Sequence, residues 1–394
     1  MTGALCTFLA TTGTIGAALG LTAAPAYANS CSTQVPPGAV DASVPWPQQR
    51  YGLDRLSGIA DGARQVVAVV DSGVDAVHPQ LVGAVVDGID GLDAGGDGRL
   101  DCVGHGTAVA SIIAARPVRG VGFSGLAPAA TILPVRVSER QDIDGASSGR
   151  AVTVQGLAQA IVHAVDRQVD VINLSLVTYQ DASALRKAVG YALSHDVVVV
   201  AAAGNEHSAG DPLPYPAAYP GVIGVGAIGQ DGMRYPESQV GPYVDLVAPG
   251  DQITAATPKA GHAVYQGTSF AVPFVAGTAA LVRQYHPDLS AAEVAARLAA
   301  TADPAPGGPG SADYGAGIVS PYRAVTGQVA GSIETRQAVP PLAPRSDAQV
   351  SRDAAMKRTA LVVAGTCGLV AVIIVVVAAT LPRGIRRRWR VGLP

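Results

Sequence analysis

Four polar residues stand where reactive groups could be gathered. Ser269 lies in Gly267-Thr268-Ser269-Phe270-Ala271-Val272-Pro273, just ahead of an apolar run, Phe274–Val282, that reads as a buried helix. A hydroxyl at a helix N-terminus meets backbone N–H groups that lack intrahelical partners and the positive end of the dipole, both suited to developing negative charge. Pro273 fits the first helical turn, where its missing N–H costs nothing. An ordinary N-cap serine would look the same over this segment. The reading therefore depends on the upstream residues. There, Val66–Val70 runs into Asp71-Ser72-Gly73, placing Asp71 at a strand's C-terminal end, the edge where open α/β sheets form their sites. Gly104-His105-Gly106-Thr107 precedes the helical run Ala108–Ala115 and puts His105 at a helix start.

A serine nucleophile needs a base that accepts its proton near neutral pH, and histidine suits that role. The base in turn needs a buried carboxylate to fix its tautomer and stabilise the imidazolium. Asp71, His105 and Ser269 supply these three types. Asn205 follows the strand-like Val197–Ala203 and Gly204 at the same sheet edge. Its amide, with the Ser269 N–H, would hold the oxyanion of a tetrahedral intermediate. Each residue has a plainer reading alone: Asp71 as a turn former, His105 as a loop residue, Asn205 as a left-handed turn residue. The other six histidines have no comparable setting. All three triad types at element boundaries favour the joint chemical reading.

The elements that would carry them are short Val-rich runs. Gln65–Val70, Ala130–Val137, Val169–Leu176, Val197–Ala203, Val222–Ala227 and Val244–Val247 read as strands whose continuous apolarity implies burial on both faces. Between them, Val152–Arg167 and Ala182–Ser194 are amphipathic helices, and Ser290 with Glu293 forms a capping box for a helix through about Ala300. Strand–helix alternation of this kind predicts βαβ units in a three-layer α/β/α fold with a mostly parallel sheet. The formal net charge of −3 points to neither nucleic acid nor an acidic partner.

Both ends carry envelope signals. Residues 4–24 are apolar and Ala26-Tyr27-Ala28 is a signal-peptide cleavage pattern, although no Lys or Arg occurs before residue 30. Cleavage after residue 28 and a retained N-terminal anchor both stay open. The uncharged stretch 359–381 would span about 34 Å as a helix, enough for a bilayer core. Arg383, Arg386, Arg387, Arg388 and Arg390 follow it, which places the tail 382–394 in the cytoplasm and the rest of the mature chain outside. Cys6 leaves with the signal and Cys367 lies in the span, so Cys31 and Cys102 are expected to pair. Residues 29–63 form a Pro-containing extension, too short for an independent propeptide domain, that would stay attached and wrap the domain 64–326. Residues 327–358 read as a Pro-rich stalk. Asp87, Asp90, Asp93, Asp97 and Asp101 crowd a Gly-rich segment; the spacing fits no EF-hand, and solvated turns are expected there, with no metal or cofactor.

The order Asp, His, Ser is that of the subtilisin version of the triad. Val70-Asp71-Ser72-Gly73-Val74, Gly104-His105-Gly106-Thr107-Ala108-Val109-Ala110, Asn173-Leu174-Ser175-Leu176, Ala203-Gly204-Asn205 and the Ser269 segment together resemble the subtilisin-family (subtilase) serine peptidases over about residues 64–326. The resemblance implies Asp71, His105 and Ser269 as triad, Asn205 as oxyanion donor, and Ser175-Leu176 as an edge that pairs with extended peptide substrate. Two positions depart from the family pattern: Val177, where glycine is usual and the substrate edge would be altered, and Ser111, expected to be a packing change. The full layout is similar to the mycosins, membrane-anchored subtilases associated with type VII secretion systems. That likeness implies secreted protein substrates and partnership with a secretion membrane complex. A scaffold role with weak or occluded proteolysis is the alternative. An esterase is disfavoured because no G-x-S-x-G elbow surrounds Ser269.

Overall fold

The computed structural model describes residues 31, 35–143, 146–329 and 366. The predicted signal peptide, the tail, and nearly all of the stalk and of the membrane span lie outside the described residues. Among the described residues no helix is long and apolar enough to cross a membrane. The chain divides into two units, Met1–Arg336 and Gln337–Pro394, and the sheet with its covering helices belongs to the first.

A short helix, α1 (Trp46–Tyr51), precedes the first strand, β1 (Val66–Asp71). Then come β2 (Ile89–Asp90), α2 (His105–Ala114), β3 (Thr131–Arg136), and the two-stranded ribbon β4 (Gln141–Ile143) and β5 (Ala146–Ser148). The chain continues with α3 (Val154–Asp166), β6 (Val171–Leu174), α4 (Ser183–Ser194), β7 (Val198–Ala202), β8 (Ile223–Ile228) and β9 (Leu246–Pro249). An antiparallel hairpin, β10 (Ile253–Ala256) and β11 (His262–Tyr265), leads to α5 (Thr268–Tyr285), α6 (Ala291–Ala300) and α7 (Pro321–Thr326).

Among the described residues seven strands form one parallel sheet in the order β2-β3-β1-β6-β7-β8-β9. All six predicted strands are in it, within one or two residues at most ends. The two-residue period of a strand sends alternate side chains to opposite layers. Val67 and Val69 of β1 pack with Ile112, Phe274 and Leu281, whereas Ala68 and Val70 pack with Ile161, Leu185 and Val189. Helices α2, α5, α6 and α7 thus cover one face, and α3 and α4 the other. This is the expected three-layer α/β/α architecture. The capping box at α6 is formed both ways, with Glu293 N–H donating to Ser290 Oγ and Ser290 N–H to Glu293 Oε2.

Three expectations need correction. The strand predicted to run to Leu176 ends at Leu174, where the ladder with β1 and β7 stops. Pro273 lies in the second turn of α5, because the helix starts at Thr268. The acidic segment is not simply solvated. Asp90 and Asp93 bind the buried Arg136, Asp87 and Asp97 bind Arg99, and Asp101 is buried. Arg150 and Arg136 together hold the Asp93 carboxyl down at about 2.

Candidate active site

The sheet itself brings the first groups together. After β3 the chain crosses to the far side of β1, so strand order reverses there, and ligand sites form beyond strand C-termini at such a point. Parallel strands β1, β6 and β7 are adjacent and in register, Val70 beside Leu174 and Leu174 beside Ala201. They therefore end on one rim. Asp71 closes β1, Ser175 follows β6, and Gly204-Asn205 follows β7.

Asp71 is 4% exposed, and its Oδ1 accepts from Ser72 N–H and from His105 Nδ1, each at 2.7 Å. A carboxylate only accepts, so the proton sits on Nδ1 and His105 Nε2 remains as the free base. His105 is the first residue of α2, behind the N-cap Gly104. That first turn packs so close to β1 that a Cβ on Gly106 would lie 2.1 Å from the Gly73 carbonyl oxygen. Burial disfavours the imidazolium, but the Asp71 charge and hydrogen bond, with Asp101 behind them, outweigh it. The His105 pKa consequently lies above the ordinary histidine value.

Asp101 is a residue that sequence alone places only in the acidic cluster. Its carboxylate accepts from Ser72 Oγ (2.9 Å), Gly104 N–H (2.8 Å) and Thr107 N–H (2.8 Å) and hydroxyl (2.6 Å). Ser72 Oγ in turn accepts from Gly106 N–H at 2.8 Å. One buried carboxylate thus ties the α2 N-terminus to the end of β1. The available signal was its place three residues before the N-cap glycine, where a side chain can reach orphan helix donors.

Ser269 is the second residue of α5, half-buried, with no carbonyl one turn behind it to take its N–H. Asn205 Oδ1 accepts from Thr268 N–H (2.9 Å) and Thr268 Oγ1 (3.1 Å). A backbone N–H must face the amide oxygen, so Nδ2 is the atom left to donate. A Cβ on Gly267 would lie 3.1 Å from that nitrogen, and φ at Gly267 is 124°, a conformation that favours glycine. The His105 ring lies 5.0 Å from that of Phe270, the neighbour of Ser269. Among the described residues no hydrogen bond joins the Ser269 hydroxyl to His105. Such contacts are often loose without substrate.

The other expected residues lie around this centre. Ser175 is buried, and its hydroxyl donates to the Ser269 carbonyl at 2.7 Å. Leu176 packs toward the α3–α4 layer, Val177 toward the opposite one, and Thr178 pairs with Tyr215. Ser111 does more than fill space, because its hydroxyl donates to Ala108 O (2.7 Å) and accepts from Ala256 N–H (3.0 Å), joining α2 to β10. Cys31 and Cys102 form the expected disulfide, with Cα atoms 5.2 Å apart. From there the extension crosses the α2–α5 face, where Ala39 pairs with His262, Gly122 N–H donates to Asp41 O, and the Trp46 indole donates to Asp251 O. Among the described residues no group of three or more acidic, His or Cys side chains is arranged to hold a metal ion.

Comparison with known proteins agrees with this geometry. A family model described as the subtilase family matches residues 62–318. Mycosin-1 of Mycobacterium tuberculosis is 35% identical over 358 residues, covering 78% of this chain and 79% of that protein. Subtilisin NAT of Bacillus subtilis subsp. natto is 37% identical over 260 residues, 64% of this chain and 65% of that protein. Among solved structures, MycP1 with its N-terminal propeptide removed superposes with a TM-score of 0.64 at 32% identity, covering 73% of this chain and 100% of that one. The MycP3 protease from the type VII (ESX-3) secretion system gives 0.63 at 34% identity, covering 75% and 92%.

Proposed function

The chain belongs to the subtilase family of serine peptidases, and from that premise we propose that it is a serine endopeptidase acting through Asp71, His105 and Ser269. His105 Nε2 takes the proton of the Ser269 hydroxyl as its oxygen attacks the scissile carbonyl, then returns it to the leaving amine. Asp71 fixes the tautomer. Asn205 Nδ2 and the Ser269 N–H hold the oxyanion, and the segment Ser175-Leu176-Val177 lies against the extended substrate backbone. The observation that carries this reading is the 2.7 Å contact of His105 Nδ1 with buried Asp71, on a ring packed against Phe270. Ser269→Ala should abolish labelling by a serine-directed phosphonate; undiminished labelling would refute the assignment.

The finer reading is an extracytoplasmic enzyme anchored by residues 359–381, with 382–394 cytoplasmic, residues 29–63 as an attached extension and 327–358 as a stalk. Its substrates are secreted proteins, and its partner is a type VII secretion membrane complex. Support comes from the charge pattern at the C-terminal end of the chain and from the similarity to the MycP3 protease of such a system.

A further inference from the structure

A proline at residue 273 leaves one acceptor without its usual donor. In an α-helix the carbonyl of residue 269 would accept the N–H of residue 273, and proline has none. That carbonyl belongs to Ser269 itself, near the start of α5. Its partner is instead the Ser175 hydroxyl, at 2.7 Å, from the end of the neighbouring strand β6. A carbonyl oxygen can only accept, so the hydroxyl proton is committed to it. Ser175 Oγ must then accept from its next neighbour, and Asn173 Nδ2 lies 2.9 Å away. Both Asn173 and Ser175 are buried, at 0% and 4% exposure.

Resting on the peptidase reading above, we propose that Asn173 and Ser175 form a positioning relay that replaces the hydrogen bond Pro273 deletes and holds the Ser269 peptide unit in register with His105 and Asn205. The side chain of Ser175 then acts through Ser269, separately from any pairing of its backbone with substrate. The carbonyl it holds and the N–H that faces the oxyanion belong to the same residue. Loss of the hydroxyl would loosen the nucleophile and its oxyanion donor together, leaving the substrate edge in place.

Ser175→Ala is expected to lower kcat on a peptide substrate, and the second-order rate of phosphonate labelling, about tenfold, with KM unchanged. Pro273→Ala supplies the missing helical donor, so the deficit caused by Ser175→Ala should largely disappear in the Pro273→Ala background. Melting curves on all variants separate this from loss of fold, because the relay predicts the kcat deficit at temperatures where every variant is fully folded. A wild-type rate for Ser175→Ala, a raised KM with kcat intact, or a deficit unaltered by Pro273→Ala would each overturn the relay. Ser269→Ala runs alongside. If it still labels, the peptidase reading fails; if it does not while Ser175→Ala labels normally, only the relay fails.

Discussion

Removing the Cys31–Cys102 bridge separates what a cross-link does to the unfolded chain from what the extension's own contacts do. The cysteines are 71 positions apart. Closing a loop of that length removes unfolded-state entropy worth about 4 kcal/mol in the chain-entropy account. For a domain of this size that corresponds to roughly 10 °C in melting temperature. The folded extension, by contrast, has independent attachments. Gly38 N–H donates to Ala260 O (2.9 Å) and Thr257 Oγ1 (2.8 Å), His262 N–H to Ala39 O (2.9 Å), and Gln48 Nε2 to Ser124 O (3.0 Å). The paired variant Cys31→Ala with Cys102→Ala should therefore be much less stable yet keep its extension docked from Gly38 onward.

Two assays on the purified protein test both halves. Urea unfolding should give a free energy about 4 kcal/mol below wild type. Limited proteolysis followed by mass spectrometry should trim the N-terminus only as far as residue 37. A loss of stability under about 1 kcal/mol would refute the unfolded-state argument. Trimming that ran past Trp46 would show that the bridge, and not the hydrogen bonds, holds the extension down.

The site itself yields two further outcomes. Asp71→Asn should cut kcat on the order of 10⁴-fold. It should also move the acid limb of the pH profile of kcat/KM to lower pH. The sign comes from the raised His105 pKa: the base is active only when neutral, so activity falls as pH drops through that value, and without the Asp71 charge burial pushes it down. An acid limb that stayed in place would mean another group sets it. Asn205→Ala should lower kcat about 10²–10³-fold with little change in KM, since the amide donates to charge that exists only in the transition state; steady-state kinetics showing a KM effect alone would contradict this role.

The sheet was readable in the sequence because β1, β3 and β6–β9 are buried on both faces and so are written as largely apolar runs, even where Asn173 and Arg136 interrupt them. The hairpin β10–β11 was not, because its strands are only four residues long, carry no continuous apolar run and include His262, a buried polar residue that pairs with Gln80. Asp71 and His105 were legible as types at element boundaries. Asp101 was hidden by its neighbours, since among five acidic residues only its place three residues before the N-cap glycine marks it as the one that lies beneath a helix. Pro273 was misplaced by one turn for a related reason. A helix tolerates the deletion of a donor when a side chain from another strand replaces it, and no local pattern in α5 announces Ser175.

Of three consecutive residues at the start of α5, two are bound by residues that follow strand ends and the third packs on the catalytic-site histidine. Thr268 is bound by Asn205 beyond β7, the Ser269 carbonyl by Ser175 beyond β6, and Phe270 packs on His105, which is held by Asp71 at the end of β1. Parallel strands are about 4.8 Å apart, while residues along a helix rise about 1.5 Å and turn by about 100°. Three successive residues therefore fan out far enough to reach Asn205, Ser175 and the His105 ring in turn. The register of β1, β6 and β7 fixes the spacing of the groups, and the first turn of α5 measures it. A serine placed anywhere else on α5 would lose one of these three references, which is why its position can be held by a helix that carries a proline one turn later.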